Sequence, residues 1–462
     1  MKKLLSRQKS FYILLFLNLV AIVSIFYISS KVEFPDANSY WYMAKGFKHG
    51  QFSSWYFLPV YTPETLRTWG YPFFVYLCQW IYEAPITVKL VQLLMHFIML
   101  WHCLKLIRHF NKEIIYRNVF LLLLLPNLQV AYYAGQVAAE TPTMLCIVLF
   151  FYYWFVSADN WRKYLILAVL AFIIFQLRPA FLLAPFCLAG YKLLFERKAL
   201  KYVFGFLALF ILSLLPFGWW NKTQHGIFKI TPLEGGAAAA QNGYWSFRLP
   251  DGYNPKFYFD ASFSRDITQP RFASDEEKKQ YRQQFEQEWN EINKKLQPFI
   301  TKEDSVRMAV YAQKKYRLWE VMSSGYADER EKLLKEYLVK DIKANPGYYI
   351  KTRLYTLARL WFTGINKQEF TNASFSGKLK LLYPFVITFL FIFCGLLYVL
   401  YSFISKRIRW SRYWPLMLII GYYGILHIPF GIQARYTVPV HIFILMMVAI
   451  IIGSRFQKKI PE

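Results

Sequence analysis

The residues of this chain that could do chemistry are few, and they stand at the ends of apolar segments. Asp36 lies just past the first of these segments, in Phe34-Pro35-Asp36-Ala37-Asn38-Ser39-Tyr40. Arg67 is in the Gly/Pro-shaped turn Glu64-Thr65-Leu66-Arg67-Thr68-Trp69-Gly70-Tyr71-Pro72, and Lys89 follows close to the next apolar run. Arg178 in Gln176-Leu177-Arg178-Pro179 and Arg435 in Gly431-Ile432-Gln433-Ala434-Arg435-Tyr436 are the only charges in their short loops. A planar guanidinium grips phosphate oxygens two at a time. Four cations near an acid at one end of the apolar segments therefore suggest an anionic lipid headgroup or a pyrophosphate as ligand.

Each residue also has an ordinary explanation. An Asp just before a helix is most often its N-cap. Glu140, opening Glu140-Thr141-Pro142, suits the positive end of a helix. Cations beside apolar helices commonly snorkel to headgroups. Other chemistries have little support. The seven His are scattered with no His-Glu-x-x-His spacing, and no P-loop, Gly-x-Gly-x-x-Gly or Asp-x-Asp motif occurs. The five Cys lie in apolar stretches without regular spacing, so neither a disulfide framework nor a thiolate metal site is indicated.

What must position these residues is a set of membrane helices. Hydrophobic residues make up 56% of the 462 and charged residues only 18%, below the roughly 25% of soluble domains. The uncharged residues come in ten blocks, at 10–30, 90–104, 118–139, 141–158, 164–177, 179–191, 202–221, 381–405, 413–434 and 436–454. Most approach the ~20 residues a helix needs to cross the hydrocarbon layer. The expected fold is thus all-α and polytopic, with about ten transmembrane helices. The first block is too long for a signal-peptide core and lacks a cleavage pattern, so it reads as an uncleaved span.

The net charge of +27 is mostly a topology signal. Alternate loops hold 21 cations against four acids, and such loops stay cytoplasmic. Both termini are then cytoplasmic, and Asp36 and Arg67 fall in an outer loop spanning 30–84. With most of the surplus in short cytoplasmic loops, nucleic-acid binding has no support. Three parts follow: an N-terminal transmembrane module over 1–220, an extracytoplasmic helical domain over 221–380, and C-terminal transmembrane helices over 381–462.

Within the middle part, Ser274-Asp-Glu-Glu277 and Thr301-Lys-Glu-Asp304 read as capping boxes. The first opens a helix to about Leu296. The second opens a helix with Val306, Val310, Tyr311 and Leu318 on one face. A third helix runs from about Ala327 to Ala344, and an interfacial one from Pro346 to Phe362. In the first outer loop, Tyr40, Met43, Ala44 and Phe47 recur at helical spacing and Gly50 ends a short amphipathic helix.

An Asp shortly after the first span, then Ser39-Tyr40 and a helix rich in small residues, then Arg67-Thr68-x-Gly70-Tyr71-Pro72 before the second span, resembles the GT-C glycosyltransferases of the protein-mannosyltransferase and aminoarabinose-transferase superfamily, family 39-like. The similarity continues through Ala139-Glu140, Leu177-Arg178-Pro179, the Asn221…Gly226…Thr231…Gly235-Gly236 run, Asn345-Pro346…Tyr349 and Arg435-Tyr436…Pro439. It covers most of the membrane part, and the helical domain matches no named module.

The resemblance implies transfer of a sugar from a polyprenyl-phosphate donor to a hydroxyl of a glycan, lipid or protein, with inversion, on the outer face of a bacterial inner (cell) membrane. It implies Asp36 as general base and Arg67 on the donor phosphate. Lys89, Arg178 and Arg435 are then further phosphate ligands, and Glu64, Glu140, Tyr40 and Tyr71 accessory residues. The aminoarabinose branch carries Glu-Lys-Pro-Pro where this chain has Leu66-Arg67-Thr68-Trp69, so that substrate and a bound metal lose support unless Glu64 substitutes. No cofactor is demanded, and a divalent metal at the phosphate stays open. A phosphate-linked sugar leaves as a stabilised anion, so one base and several cations suffice and no general acid is needed. Two rivals use the same features: a polymerase or ligase of lipid-linked glycans, told apart by an oligosaccharide donor, and a flippase or transporter, which would show internal repeats and mid-membrane charges.

Overall fold

In hydrocarbon each backbone N–H and C=O must find its partner within the segment, so the charge-free blocks have little choice but to coil. The computed structural model describes residues 2–195, 200–237, 240, 275–313, 315–318, 321–365, 367–405, 410–429 and 434–457. The described residues form helices joined by short loops, with no strand among them.

Among the described residues, five helices are long and apolar enough to cross a bilayer: Gln8–Ser29, Pro85–Phe110, Leu200–His225, Phe375–Ile404 and Val438–Phe456. A sixth arises if Ile114–Leu124 and Gln129–Gly135 are one span, and these two meet at 69°. Block 118–139 reads in the sequence as one continuous segment. Pro126 breaks it, because proline cannot donate to the helix ladder and restricts the residue before it. Glu140–Val156 and Pro179–Phe195 are shorter apolar helices.

Burial orders these helices. Val438–Phe456 is the central one, with 83% of its apolar window buried, whereas Gln8–Ser29 is peripheral at 17% and turns Phe16, Val20 and Tyr27 outward. Pro85–Phe110 packs on Glu140–Val156, which packs on Trp161–Leu177, which in turn packs on Leu200–His225. Lipid gives apolar side chains no reason to leave it for a partner helix, so close packing must hold such helices together. Phe150, Phe151 and Phe175 on these helices are fully buried. Gly135 lets the broken segment touch the first helix: a Cβ there would lie 2.9 Å from the Phe26 carbonyl oxygen and closer still to Ser29 Oγ.

The middle part is helical where described. Asp275–Leu296, Lys302–Ala312, Ser324–Ala344 and Pro346–Arg359 follow one another, and the first, third and fourth share a small core that includes Ile292, Leu296, Met322 and Leu334. Leu200–His225 runs five residues past the boundary read at 220. The Thr301 capping box forms: Thr301 Oγ1 accepts from Asp304 N at 3.1 Å and Asp304 accepts from Thr301 N at 3.0 Å. The apolar face expected for this helix is only partly buried, with Val310 and Leu318 packed beside Trp55. Val306 and Tyr311 are exposed, and Asp304 and Arg307 are what the helix buries. Pro346–Arg359 exposes Ile350 and Leu354 while Arg353 turns inward to the carbonyls of Ile428 and Pro429 at 3.2 and 3.1 Å. Ser274, Gly431 to Gln433 and the basic clusters at 197–198, 406–409 and 458–459 lie outside the described residues.

Candidate functional site

Asp36 occupies the N-cap position of Ala37–Lys48 but makes no side-chain capping bond. Its carboxylate turns the other way and sits between two arginines. Arg67 Nη2 donates to Oδ1 at 3.3 Å, and Arg435 Nη1 donates to Oδ2 at 3.2 Å. Asp36 is 7% exposed. A capping role costs a carboxylate nothing and stabilises the helix by about 1 kcal/mol. Two charge-assisted bonds are stronger, which is why the side chain leaves its own helix end.

The Arg67 turn is pinned from three sides. Glu64 N donates to Phe52 O at 3.0 Å, Thr68 Oγ1 donates to Gln176 O at 2.7 Å, and Thr65 exchanges bonds with Glu234: its hydroxyl donates to the carboxylate at 2.6 Å while Glu234 N donates to Thr65 O at 3.0 Å. Gly70 is required for this approach, since a Cβ would lie 2.5 Å from the Gln176 carbonyl oxygen. Arg330 of the helical domain pairs with Glu234 and closes the clamp. Arg67 also lies over the Tyr40 ring at 5.1 Å. Tyr40 meets Tyr71 edge to face at 4.6 Å, and the Tyr71 hydroxyl donates to Gln92 at 2.9 Å.

Arg178 and Glu140 form a second, buried pair. Their helices run antiparallel, so the C-terminus of Trp161–Leu177 and the N-terminus of Glu140–Val156 reach the same level. Arg178 meets the negative end of one dipole and Glu140 the positive end of the other. The two pairs feel each other: Glu140 acts on Arg435, Tyr40 and Tyr71.

These charges shift their neighbours. Burial raises the Tyr40 hydroxyl, with Arg67 partly offsetting it. Burial opposes the charge on Arg67, but Tyr40, Asp36 and Glu64 outweigh it and raise the guanidinium. Arg435 is likewise raised, Glu140 and Asp36 overcoming burial. Glu64 is raised by burial, against the pull of Arg67. One of its oxygens accepts from Leu66 N at 3.1 Å and the other, buried, has no hydrogen-bond partner among the described residues.

Of the residues singled out in the sequence, Asp36, Arg67, Arg435, Glu140, Arg178, Tyr40, Tyr71 and Glu64 come together. Lys89 does not. Its ammonium donates to Ser30 O at 2.6 Å, at the C-terminus of the first helix, where carbonyls left without intrahelical partners attract a cation. Glu234, Arg330 and Gln176 belong to the neighbourhood and escape sequence reasoning. Glu234 carries one signal, as the only acid between Glu196 and Asp251. The Gln176 side-chain amide is buried, with neither end hydrogen-bonded among the described residues. Among the described residues, no three His, Cys, Asp or Glu converge as a metal centre would require. Asp36, Glu140 and Glu234 are instead each paired with an arginine.

Comparison of the chain with protein-family models, with curated proteins and with solved structures yields no match.

Proposed function

We propose that this protein is an integral membrane glycosyltransferase of GT-C type, moving a sugar from a polyprenyl-phosphate donor to a hydroxyl acceptor with inversion. The observation that carries the proposal is the placement of Asp36, a buried carboxylate that forgoes its own helix cap to sit between Arg67 and Arg435. An acid and two guanidinium groups within about 3 Å are the inventory that single displacement on a phosphate-linked sugar needs.

In the resting arrangement the three side chains neutralise one another. A donor phosphate offers the arginines a better partner, with oxygens for both forks. When they turn to it, the Asp36 carboxylate is left to accept the proton of the acceptor hydroxyl. That oxygen attacks the anomeric carbon, the carbon–oxygen bond to phosphate breaks, and its electron pair stays on the phosphate, where Arg67 and Arg435 meet the charge. One displacement inverts the configuration. Arg178 and Glu140 brace the floor of the site, and Tyr40 and Tyr71 orient Arg67. The donor set here is committed to arginines, and no step is routed through a metal.

Ten spans, with both termini in the cytoplasm and this site at the outer face of a bacterial cell membrane, complete the proposal. The five or six apolar helices and the placement of the basic loops support it. The test is direct. Purified protein in nanodiscs should release polyprenyl phosphate from a polyprenyl-phosphate sugar in the presence of acceptor, and Asp36→Asn should abolish this while leaving the thermal unfolding cooperative. Full transfer by Asp36→Asn sinks the assignment of the base.

A further inference from the structure

The segment before Asp36 forms one wall of a cleft. Pro35 and Trp55 from the first loop face Val310, Tyr311, Tyr316 and Arg317 from the helical domain around a cavity of about 310 Å³, within the usual range for small-molecule sites. Its far wall is fixed. Asp304, fully buried, accepts from Ser323 N and Oγ at 2.7 Å each and pairs with Arg307, whose guanidinium also donates to Thr62 of the first loop. Val310 and Tyr311 lie three and four residues on from Arg307, on the same helix face, so anchoring Arg307 turns them toward the first loop. Tyr316 is held by Asn38, whose amide donates to its carbonyl at 3.3 Å, and by ring contacts with Tyr42 and Phe57 at 5.8 and 4.7 Å. Arg317 adopts a left-handed φ of 48° and pairs with Glu33 at 2.6 Å on the rim. The Tyr311 and Tyr316 hydroxyls have no hydrogen-bond partner among the described residues.

We infer that this cleft binds the carbohydrate part of an acceptor. Aromatic faces, phenolic hydroxyls and a charged rim match a sugar ring, which has C–H faces and a hydroxyl edge. An acyl chain would leave the hydroxyls and the Arg317–Glu33 pair without a role. A ring seated here has its edge next to Pro35, one residue from Asp36. The inference rests on the proposed transferase reaction and narrows its acceptor to a glycan.

The probe is a set of disaccharides (maltose, cellobiose, chitobiose and mannobiose) added to the full chain in nanodiscs, free of sugar detergents, and followed by saturation-transfer NMR. At least one should bind with a millimolar constant, and Tyr311→Ala should weaken it tenfold or more. Tyr311 is 41% exposed, so its loss spares the core. Tyr316→Phe, which keeps the ring, should retain stacking and lose only part of the affinity. Absence of binding by all four sugars, or equal binding by Tyr311→Ala, overturns the inference, as does a short Ser-containing peptide or a lysolipid binding in their place. With an acceptor that supports transfer, Tyr311→Ala should raise acceptor KM and leave the donor KM alone. Transfer with unchanged acceptor KM removes the cleft and keeps the reaction; sugar binding in the cleft without any transfer from polyprenyl-phosphate donors keeps the cleft and removes the reaction.

Discussion

Arg435→Gln separates a catalytic arginine from a structural one. The guanidinium stands 3.2 Å from Asp36, and the side chains are 24% and 10% exposed. At an effective dielectric constant of about 20, a pair at that distance attracts with about 5 kcal/mol before desolvation is counted. Partial exposure and the retained Arg67 partner reduce what folding loses, to about 1–2 kcal/mol. Catalysis loses more, because a fixed donor aimed at developing charge contributes about 3–4 kcal/mol, or 10²–10³-fold in kcat. Arg435→Gln should therefore unfold only a few degrees lower while kcat falls at least about 100-fold. Arg435→Lys should recover part of that rate, as a point charge without the fork. The assay is single-turnover release of polyprenyl phosphate from labelled donor in nanodiscs, with thermal unfolding measured on the same samples. A fall in kcat below about threefold, or one fully explained by the unfolded fraction, refutes the role given to Arg435 and the charge argument with it.

Four further outcomes follow from the geometry. Lys89→Met, whose ammonium serves the end of the first helix rather than the cluster, should leave kcat within about threefold of wild type in the same assay. Glu140→Ala should cost about 3–5 kcal/mol by leaving Arg178 buried without its carboxylate, seen as loss of cooperative unfolding or of expressed protein. Gly70→Ala should destabilise by about 1–3 kcal/mol through overpacking against Gln176 and slow transfer by shifting Arg67, both read on purified protein. Two carboxyls should act oppositely on pH dependence. Burial would raise Asp304, but donors from Ser323, Thr301 and Arg307 outweigh it and hold it low, so its stabilisation is complete above the unfolded value of about 3.9 and fades as pH falls through the folded value. Glu64 is held high, so its contribution is complete below about 4.3 and fades as pH rises through the folded value. Unfolding temperatures measured against pH should therefore flatten on the acid side in Asp304→Asn and rise on the neutral side in Glu64→Gln.

Charge pattern made the helices and most of the site legible, because membrane helices advertise themselves by what they lack. The break at Pro126 was also visible as a residue, but a run free of charge hides it: hydropathy measures solvent preference and is blind to ladder hydrogen bonds. Asp36 shows the opposite limit. Its position before a helix is that of a cap in any local reading, and two arginines outside that helix, Arg67 and the distant Arg435, draw it away. Lys89 and Arg435 look alike in sequence, each a cation near an apolar end. They differ in what faces them, a helix terminus in one case and a carboxylate in the other, and that depends on which helices are neighbours. The buried Asp304–Arg307 pair went unseen for a related reason, since apolar periodicity assumes that the face turned inward is the greasy one.

Asp36 and its second arginine are 399 residues apart. At ribosomal speeds of about 5–20 residues per second, Arg435 emerges about 20–80 s after Asp36 has been made. In the later part of that interval, once Arg178 has been made, the growing chain holds Asp36, Arg67 and the Glu140–Arg178 pair, and lacks the cation that completes the set. The central helix follows Arg435 and inserts after the helices that carry the other charges. Under the proposed reaction, the site is therefore completed only when Arg435 and the central helix are in place, and a chain stopped before Arg435 lacks one of the two guanidinium groups the transfer needs.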